Sequence, residues 1–204
     1  MQQIKNIIFD LGGIFLDIHY QLTKEGFINL GIKNFDELFT QHNANSLFED
    51  LETGKISERE FYNRLRVDAG LRLTDEAIKM AWNALLGDFP LERLEWLKNI
   101  KTKYNVYLFS NTNQIHYDAF MKIYEANTGK ADFNDHFIKA YYSHYLGLRK
   151  PYPESFQFIL NEQNLKPEET LFIDDTIKNI EAADALGMQT IHLVPPKTLL
   201  DLDL

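Results

Sequence analysis

Ile4-Lys5-Asn6-Ile7-Ile8-Phe9-Asp10-Leu11-Gly12-Gly13-Ile14-Phe15-Leu16-Asp17 carries a short apolar run, Ile7 to Phe9, that ends on a carboxylate and meets two glycines. A β-branched run of this length, closed by glycine, predicts a buried strand of a parallel sheet. Such a strand delivers its last side chain to the carboxyl edge of the sheet, where open α/β proteins bind ligands. Asp10 has two readings there. Beside backbone that glycine tolerates best it suits a nucleophile or a metal ligand; as a strand-ending Asp it suits a turn cap. The stretch alone leaves these level, so the rest of the chain must separate them.

Downstream, residues 18–88 change character, with four helical patterns and no convincing strand between them. Leu22, Phe27 and Leu30 mark the first, and Phe35, Leu38 and Phe39 the second. Ser57-Glu58-Arg59-Glu60 opens the third as a capping box, followed by Phe61 and Leu65. The fourth runs from Thr74 through Ile78, Trp82 and Leu85 to Gly87, before Pro90. From residue 91 the chain alternates. A helix with Leu94 and Leu97 leads to a strand, Val106 to Phe109, that ends in Ser110-Asn111-Thr112-Asn113. A helix with Phe120 and Tyr124 precedes a strand over Phe137 to Tyr142 and a loop, His144 to Arg149. Lys150-Pro151 opens a helix with Phe156 and Ile159. Thr170 to Ile173 is a strand ending in Asp174-Asp175, a helix with Ile180 and Ala183 stops at Gly187, and Thr190 to Val194 is the last strand. This alternation predicts an α/β fold, a doubly wound parallel sheet with an inserted helical cap. The core is expected over 1–17 and 89–204 and the cap over 18–88.

Composition narrows the function. The 204 residues suffice for a substantial core. A net charge of −9, from 21 basic and 30 acidic residues, argues against non-specific nucleic-acid binding. An anionic substrate would need positive charge supplied locally by a metal, a lysine or helix N-termini. The absence of cysteine excludes disulfides and thiolate catalysis. The N-terminus shows no secretory pattern and no stretch approaches a membrane span, so a cytoplasmic protein is expected. Oligomeric state is not readable.

Four strand ends or loops carry polar groups: Asp10, Ser110 with Asn111, Lys150, and Asp174 with Asp175. In a parallel sheet these termini share one edge. Each has a structural reading, Ser110 and Asn113 as helix caps, Lys150 as a surface lysine and Asp174-Asp175 as a cap, but their convergence favours a site. The chemistry suits phosphoryl transfer. Asp10 can attack phosphorus through an aspartyl phosphate. Mg²⁺ prefers hard oxygen ligands, for which Asp10, a carbonyl near Gly12 and Asp175 are available. Ser110, backbone amides and the Lys150 ammonium can hold the phosphoryl oxygens.

In this order and spacing, Asp10-Leu11-Gly12-Gly13, Ser110-Asn111, Lys150-Pro151 and Asp174-Asp175 resemble the four motifs of the haloacid dehalogenase-like hydrolase superfamily, over almost the whole chain. The resemblance implies Asp10 as nucleophile, Ser110 and Asn111 as phosphate ligands, and Lys150 bridging nucleophile and phosphate. It further implies Asp175 as the main acidic metal ligand, Asp174 as a second ligand or a support behind it, and Asn179 in an outer position. Together with Leu146-Gly147-Leu148-Arg149-Lys150-Pro151 and the stretch Glu52 to Ser57, the motifs are most similar to the glucose-1-phosphate phosphatases of that superfamily. The expected activity is a Mg²⁺-dependent phosphatase for a small phosphorylated metabolite, with a sugar 1-phosphate favoured.

One departure bears on the substrate. Phosphatases of the superfamily usually carry a second Asp two residues after the nucleophile as general acid and base, and here that residue is Gly12. Such a group contributes roughly 10²–10⁴ in rate. His19, Tyr20 or His116 could replace it, or the leaving group could need little protonation, as an anomeric sugar phosphate does. A dehalogenase of the same fold needs no such acid, but it needs no carboxylate pair like Asp174-Asp175 either. An inactive protein that binds a phosphorylated ligand is the third reading, supported by Gly12 alone.

Overall fold

A computed structural model describes residues 3–35, 39–40, 43–44 and 46–204. Its strands are β1 (Asn6–Phe9), β2 (Phe39–Thr40), β3 (Asn43–Ala44), β4 (Asn105–Ser110), β5 (Lys139–Tyr142), β6 (Thr170–Asp174) and β7 (Gln189–His192). Five of them form one parallel sheet in the order β5-β4-β1-β6-β7. Strand β1 is central: Phe9 lies opposite Leu108 on one side and Ile173 on the other. This register puts Asp10, Ser110 and Asp174 at one edge.

Helices cover both faces of the sheet. Ile7 and Phe9 pack with Val106, Leu108, Leu171 and Ile173 against helices α5 (Leu91–Ile100) and α6 (Gln114–Thr128). The alternate residues Ile8, Tyr107, Phe109 and Phe172 pack against α8 (Pro153–Glu162) and α9 (Ile177–Asp184). A strand buried on both faces can be apolar at every position, and Asn6–Phe9 is buried throughout.

Between β1 and β4 the chain forms α1 (Tyr20–Asn29), α2 (Ser46–Glu52), α3 (Glu58–Ala69) and α4 (Asp75–Asn83). Their apolar faces meet in a separate cluster around Trp82, which lies 5.0 Å from Phe48 and 6.1 Å from Phe61 between ring centroids. Ile115 of α6 joins that cluster from the sheet side. The two crossings into this stretch are stitched together. His19 N–H donates to Leu85 O (2.7 Å), Gly87 N–H to Asp17 O (2.8 Å) and Asp17 N–H to Asp88 O (3.0 Å). A Cβ on Gly87 would lie 2.9 Å from Asp17 O, so only glycine admits this approach.

Several sequence expectations shift. Ser57 Oγ accepts from Glu60 N–H at 3.2 Å, but the Glu60 carboxylate pairs with Arg64 rather than closing the capping box. Leu22 is exposed, because the apolar stripe of α1 runs through Phe27. Phe39 lies in β2, paired antiparallel with β3 instead of continuing a helix, and Leu38 lies outside the described residues. The expected loop at 144–149 begins with a helical turn, α7 (Ser143–Leu146), and α8 starts at Pro153 rather than at Lys150. No described helix is long and apolar enough to cross a membrane.

Candidate active site

Strand β1 ends by delivering Asp10, whose N–H donates to Ile173 O (2.9 Å), while its Oδ1 accepts from Lys150 Nζ (2.7 Å). Lys150 is 1% exposed, and Nζ also donates to Asp174 Oδ2 (2.7 Å) and Phe109 O (2.8 Å). All three ammonium hydrogens are therefore engaged. The cation lies 5.3 and 5.4 Å from the ring centroids of Phe109 and Phe172. Burial works against its charge, but the two carboxylates outweigh that and hold the ammonium above the ordinary lysine range.

The carboxylates differ in what holds them. Asp174, fully buried at the end of β6, accepts from Lys150, from Thr176 N–H (2.7 Å) and from the Asn179 amide on both oxygens (3.0 and 3.1 Å). Asp175 accepts from Thr176 Oγ1 (3.1 Å), and its side chain faces a cavity that Asp10 and Gly12 also line. Burial raises the Asp175 carboxyl, with the neighbouring Asp174 charge adding to it. Asp10 is pushed up to about 7, by burial first, against the pull of Lys150 and with the push of Asp174 and Asp175.

Gly13 explains how Asp175 comes so close. Its φ is +72°, and a Cβ there would stand 2.6 Å from Asp175 Oδ2. Glycine both permits the turn and leaves room for the carboxylate. Gly12 needs no such conformation. A Cβ on it would meet Ile18 Cγ1 at 3.2 Å, so the Ile18 side chain stands where a second acid would begin.

Ligand oxygens of Asp10, Asp174 and Asp175 can all lie within 4.8 Å of one another. Three carboxylates against one ammonium leave a net charge of −2 when all are ionised. That set, made of hard oxygens and cradled by Gly13, fits a divalent cation such as Mg²⁺. Asp10 and Asp175 face the cavity and suit direct ligation, as does the Gly12 carbonyl. Asp174 is saturated by hydrogen bonds and suits support behind them.

The remaining predicted residues are brought to the same edge in altered roles. Ser110, 3% exposed, and Asn111 line the cavity. The Asn111 side chain, however, is clamped to the main chain of Lys150: Nδ2 donates to Lys150 O and Oδ1 accepts from Lys150 N–H, both at 2.9 Å. It orients the lysine, so its amide is not available to a phosphate.

Of the three stand-ins for the missing acid, His116 is committed elsewhere. It stacks 4.4 Å from Trp82, its Nε2 lies 3.1 Å from Trp82 O, and Nδ1 lies 3.2 Å from Asn113 Nδ2. Burial pulls it down to about 4, so it is neutral at pH 7. His19 is exposed and is not part of the cavity wall. Tyr20 lines the cavity, and burial together with the nearby Asp175 and Asp10 charges holds its hydroxyl protonated.

The wall also contains Glu52, which opens the stretch to Ser57 expected to give substrate contacts, and Leu85, Leu86, Arg149 and Lys178, which sequence does not mark as site residues. Adjacency to Lys150 was the available signal for Arg149. Glu52 opened a stretch noted for its resemblance, and the leucines read simply as helix core.

Residues 4–187 match the profile of the haloacid dehalogenase-like hydrolase family. The chain is 36% identical, over 93% of its length and 91% of the relative's, to D-ribitol-5-phosphate phosphatase of Bacteroides thetaiotaomicron. A solved haloacid dehalogenase family enzyme of that organism, in complex with magnesium and inorganic phosphate, is 34% identical and superposes with a TM-score of 0.85 over 96% of this chain and 97% of that one. L-2-haloacid dehalogenase from Xanthobacter autotrophicus, 18% identical with a TM-score of 0.61 over 94% and 78%, shares the fold.

Proposed function

Because the chain belongs to the haloacid dehalogenase-like hydrolase family, we propose that it is a Mg²⁺-dependent phosphatase of small phosphorylated metabolites, working through Asp10. The arrangement that carries the reading is Asp10 held by Lys150 beside Asp174 and Asp175, a nucleophile inside a cluster of three carboxylates and one ammonium. Residues 1–17 and 89–204 form the catalytic core of this reading, and 18–88 the cap that excludes water.

Lys150 fixes Asp10 Oδ1, and the other carboxylate oxygen attacks phosphorus as the bond to the ester oxygen breaks. The departing alkoxide takes a proton from solvent water, with the protonated Tyr20 standing in the cavity wall. Water then attacks the aspartyl phosphate, releasing inorganic phosphate and restoring Asp10. Ser110 holds the phosphoryl oxygens, while the buried charge of Lys150 opposes theirs. Asp10, Asp175 and the Gly12 carbonyl would hold Mg²⁺, which would supply the further positive charge that lets a carboxylate meet a phosphate.

The organic group is a sugar or a sugar alcohol. Gly12 favours a sugar 1-phosphate, whose leaving group needs little protonation. The 36% identity to a ribitol-5-phosphate phosphatase favours a polyol phosphate. Phosphate release over a panel of both classes, with and without EDTA, tests the function. Activity is expected with Mg²⁺ and is expected to vanish in Asp10→Asn. Undiminished release by that variant, or metal-independent halide release from a haloacid, would overturn the reading.

A further inference from the structure

In the wall of the cavity that holds Asp10, a charged junction joins α2 to the segment before Lys150. Glu52, at the C-terminal end of α2, is 7% exposed, and its Oε2 lies 2.9 Å from Arg149 Nη2. Arg149 immediately precedes Lys150 on the core side. Glu49 stands beside them, 3.9 Å from Arg149 Nη1, and accepts from Tyr152 OH at 3.0 Å. The neighbouring turn is held against the core: Gly54 has φ +66°, and a Cβ on it would lie 2.2 Å from His144 O. Both Glu52 and Arg149 line the cavity that holds Asp10 and Asp175.

Two polar atoms of this junction are not satisfied. Glu52 Oε2 and Arg149 Nε are both buried without a hydrogen-bond partner. The Glu52–Arg149 charges pair at 2.9 Å, and beyond that ion pair Glu52 Oε2 has no partner. Buried polar atoms are almost always hydrogen-bonded, and those that are not need a reason. Here an acceptor and a donor stand side by side at the substrate cavity. A hydroxyl both donates and accepts, so it matches this pair, whereas a carboxylate or phosphate only accepts and an ammonium only donates.

We propose that Glu52 and Arg149 form the specificity site for a hydroxyl-bearing, uncharged organic group. Glu52 Oε2 accepts from a substrate hydroxyl, and Arg149 Nε donates to the same hydroxyl oxygen. This deepens the phosphatase reading and rests on it. Both atoms are covered here, so the hydroxyl reaches them as the Glu52–Arg149 junction parts to admit it. With Glu49 and Glu52 against the single Arg149, the junction carries a net charge of −1 when all are ionised, which disfavours a second anionic group and sets sugar and polyol monophosphates apart from phosphorylated acids and bisphosphates.

The test compares KM and kcat for ribitol 5-phosphate, glucose 1-phosphate, phenyl phosphate and 3-phosphoglycerate in wild type, Glu52→Gln and Arg149→Lys. Losing one charge-assisted hydrogen bond to a hydroxyl is expected to raise KM for the preferred hydroxylated ester by roughly tenfold more than for phenyl phosphate. Glu52→Gln should also narrow the discrimination against 3-phosphoglycerate by roughly tenfold. Arg149→Lys keeps the positive charge and removes Nε, so it carries the same test if Glu52→Gln fails to fold. Equal losses on all four esters would assign the pair a structural role and overturn the proposal. A wild-type protein inactive on every ester overturns the phosphatase reading itself; an active one whose selectivity neither variant alters overturns this inference alone.

Discussion

Replacing Gly13 by alanine separates backbone strain from damage to the site. An L residue at φ +72° costs about 1–2 kcal/mol, which for a chain of this size lowers Tm by roughly 2–8 °C. The added Cβ would stand 2.6 Å from Asp175 Oδ2, where ordinary contact begins near 3.4 Å, so the carboxylate must retreat by about 0.8 Å. A displacement near 1 Å in a reacting constellation costs on the order of 10² in rate, and disturbing a metal ligand's setting costs roughly 10–100-fold in affinity. Gly129→Ala supplies the control. Gly129 has φ +70°, ends α6, and has no atom within 4 Å of where its Cβ would lie. Both variants should lose similar Tm in a thermal melt. Only Gly13→Ala should weaken Mg²⁺ binding, measured by titration calorimetry, and lower kcat. If Gly13→Ala binds Mg²⁺ within about twofold of wild type at unchanged kcat, Asp175 is not placed by this turn and the metal-site reasoning fails.

Lys150→Met leaves Asp10 and Asp174 facing each other without their shared cation. The expected loss is about 3–5 kcal/mol of stability, read by denaturant unfolding, together with loss of phosphate release; a variant of wild-type stability would contradict the geometry. His116 gives a pH signature away from the acids. Its folded value of about 4 lies below the ordinary 6.5, so the unfolded chain binds the extra proton between those values. Stability is therefore expected to fall as pH drops from 6.5 toward 4, by about 1.4 kcal/mol per pH unit from this residue. His116→Gln, compared with wild type by urea unfolding at pH 6.5 and 5, should flatten that slope; equal slopes would show that His116 is not held neutral.

Much of this protein is written in local pattern. Ile7 to Phe9, Val106 to Phe109 and Thr170 to Ile173 are apolar at every position because both faces of a parallel strand are buried. Asp10, Ser110 and Asp174 therefore had to emerge at one edge, and strand endings alone locate the acids of the site. Gly12 also shows in sequence that the usual second acid is missing. The division of labour among these residues needed the tertiary structure. Asn111 reads as a phosphate ligand until its amide is found clamping Lys150, and Asp174 reads as either a second metal ligand or a support until Asn179 and Thr176 are found occupying its oxygens. His116 reads as a candidate for the missing acid beside a plain structural role, and Trp82, thirty-four residues away and stacked on it, decides for the structural one. Glu52, Arg149 and Tyr20 reach the cavity through the packing of one helical layer on another. Periodicity reports which face of a helix is buried, and it carries no information about what lies on the other side of that burial.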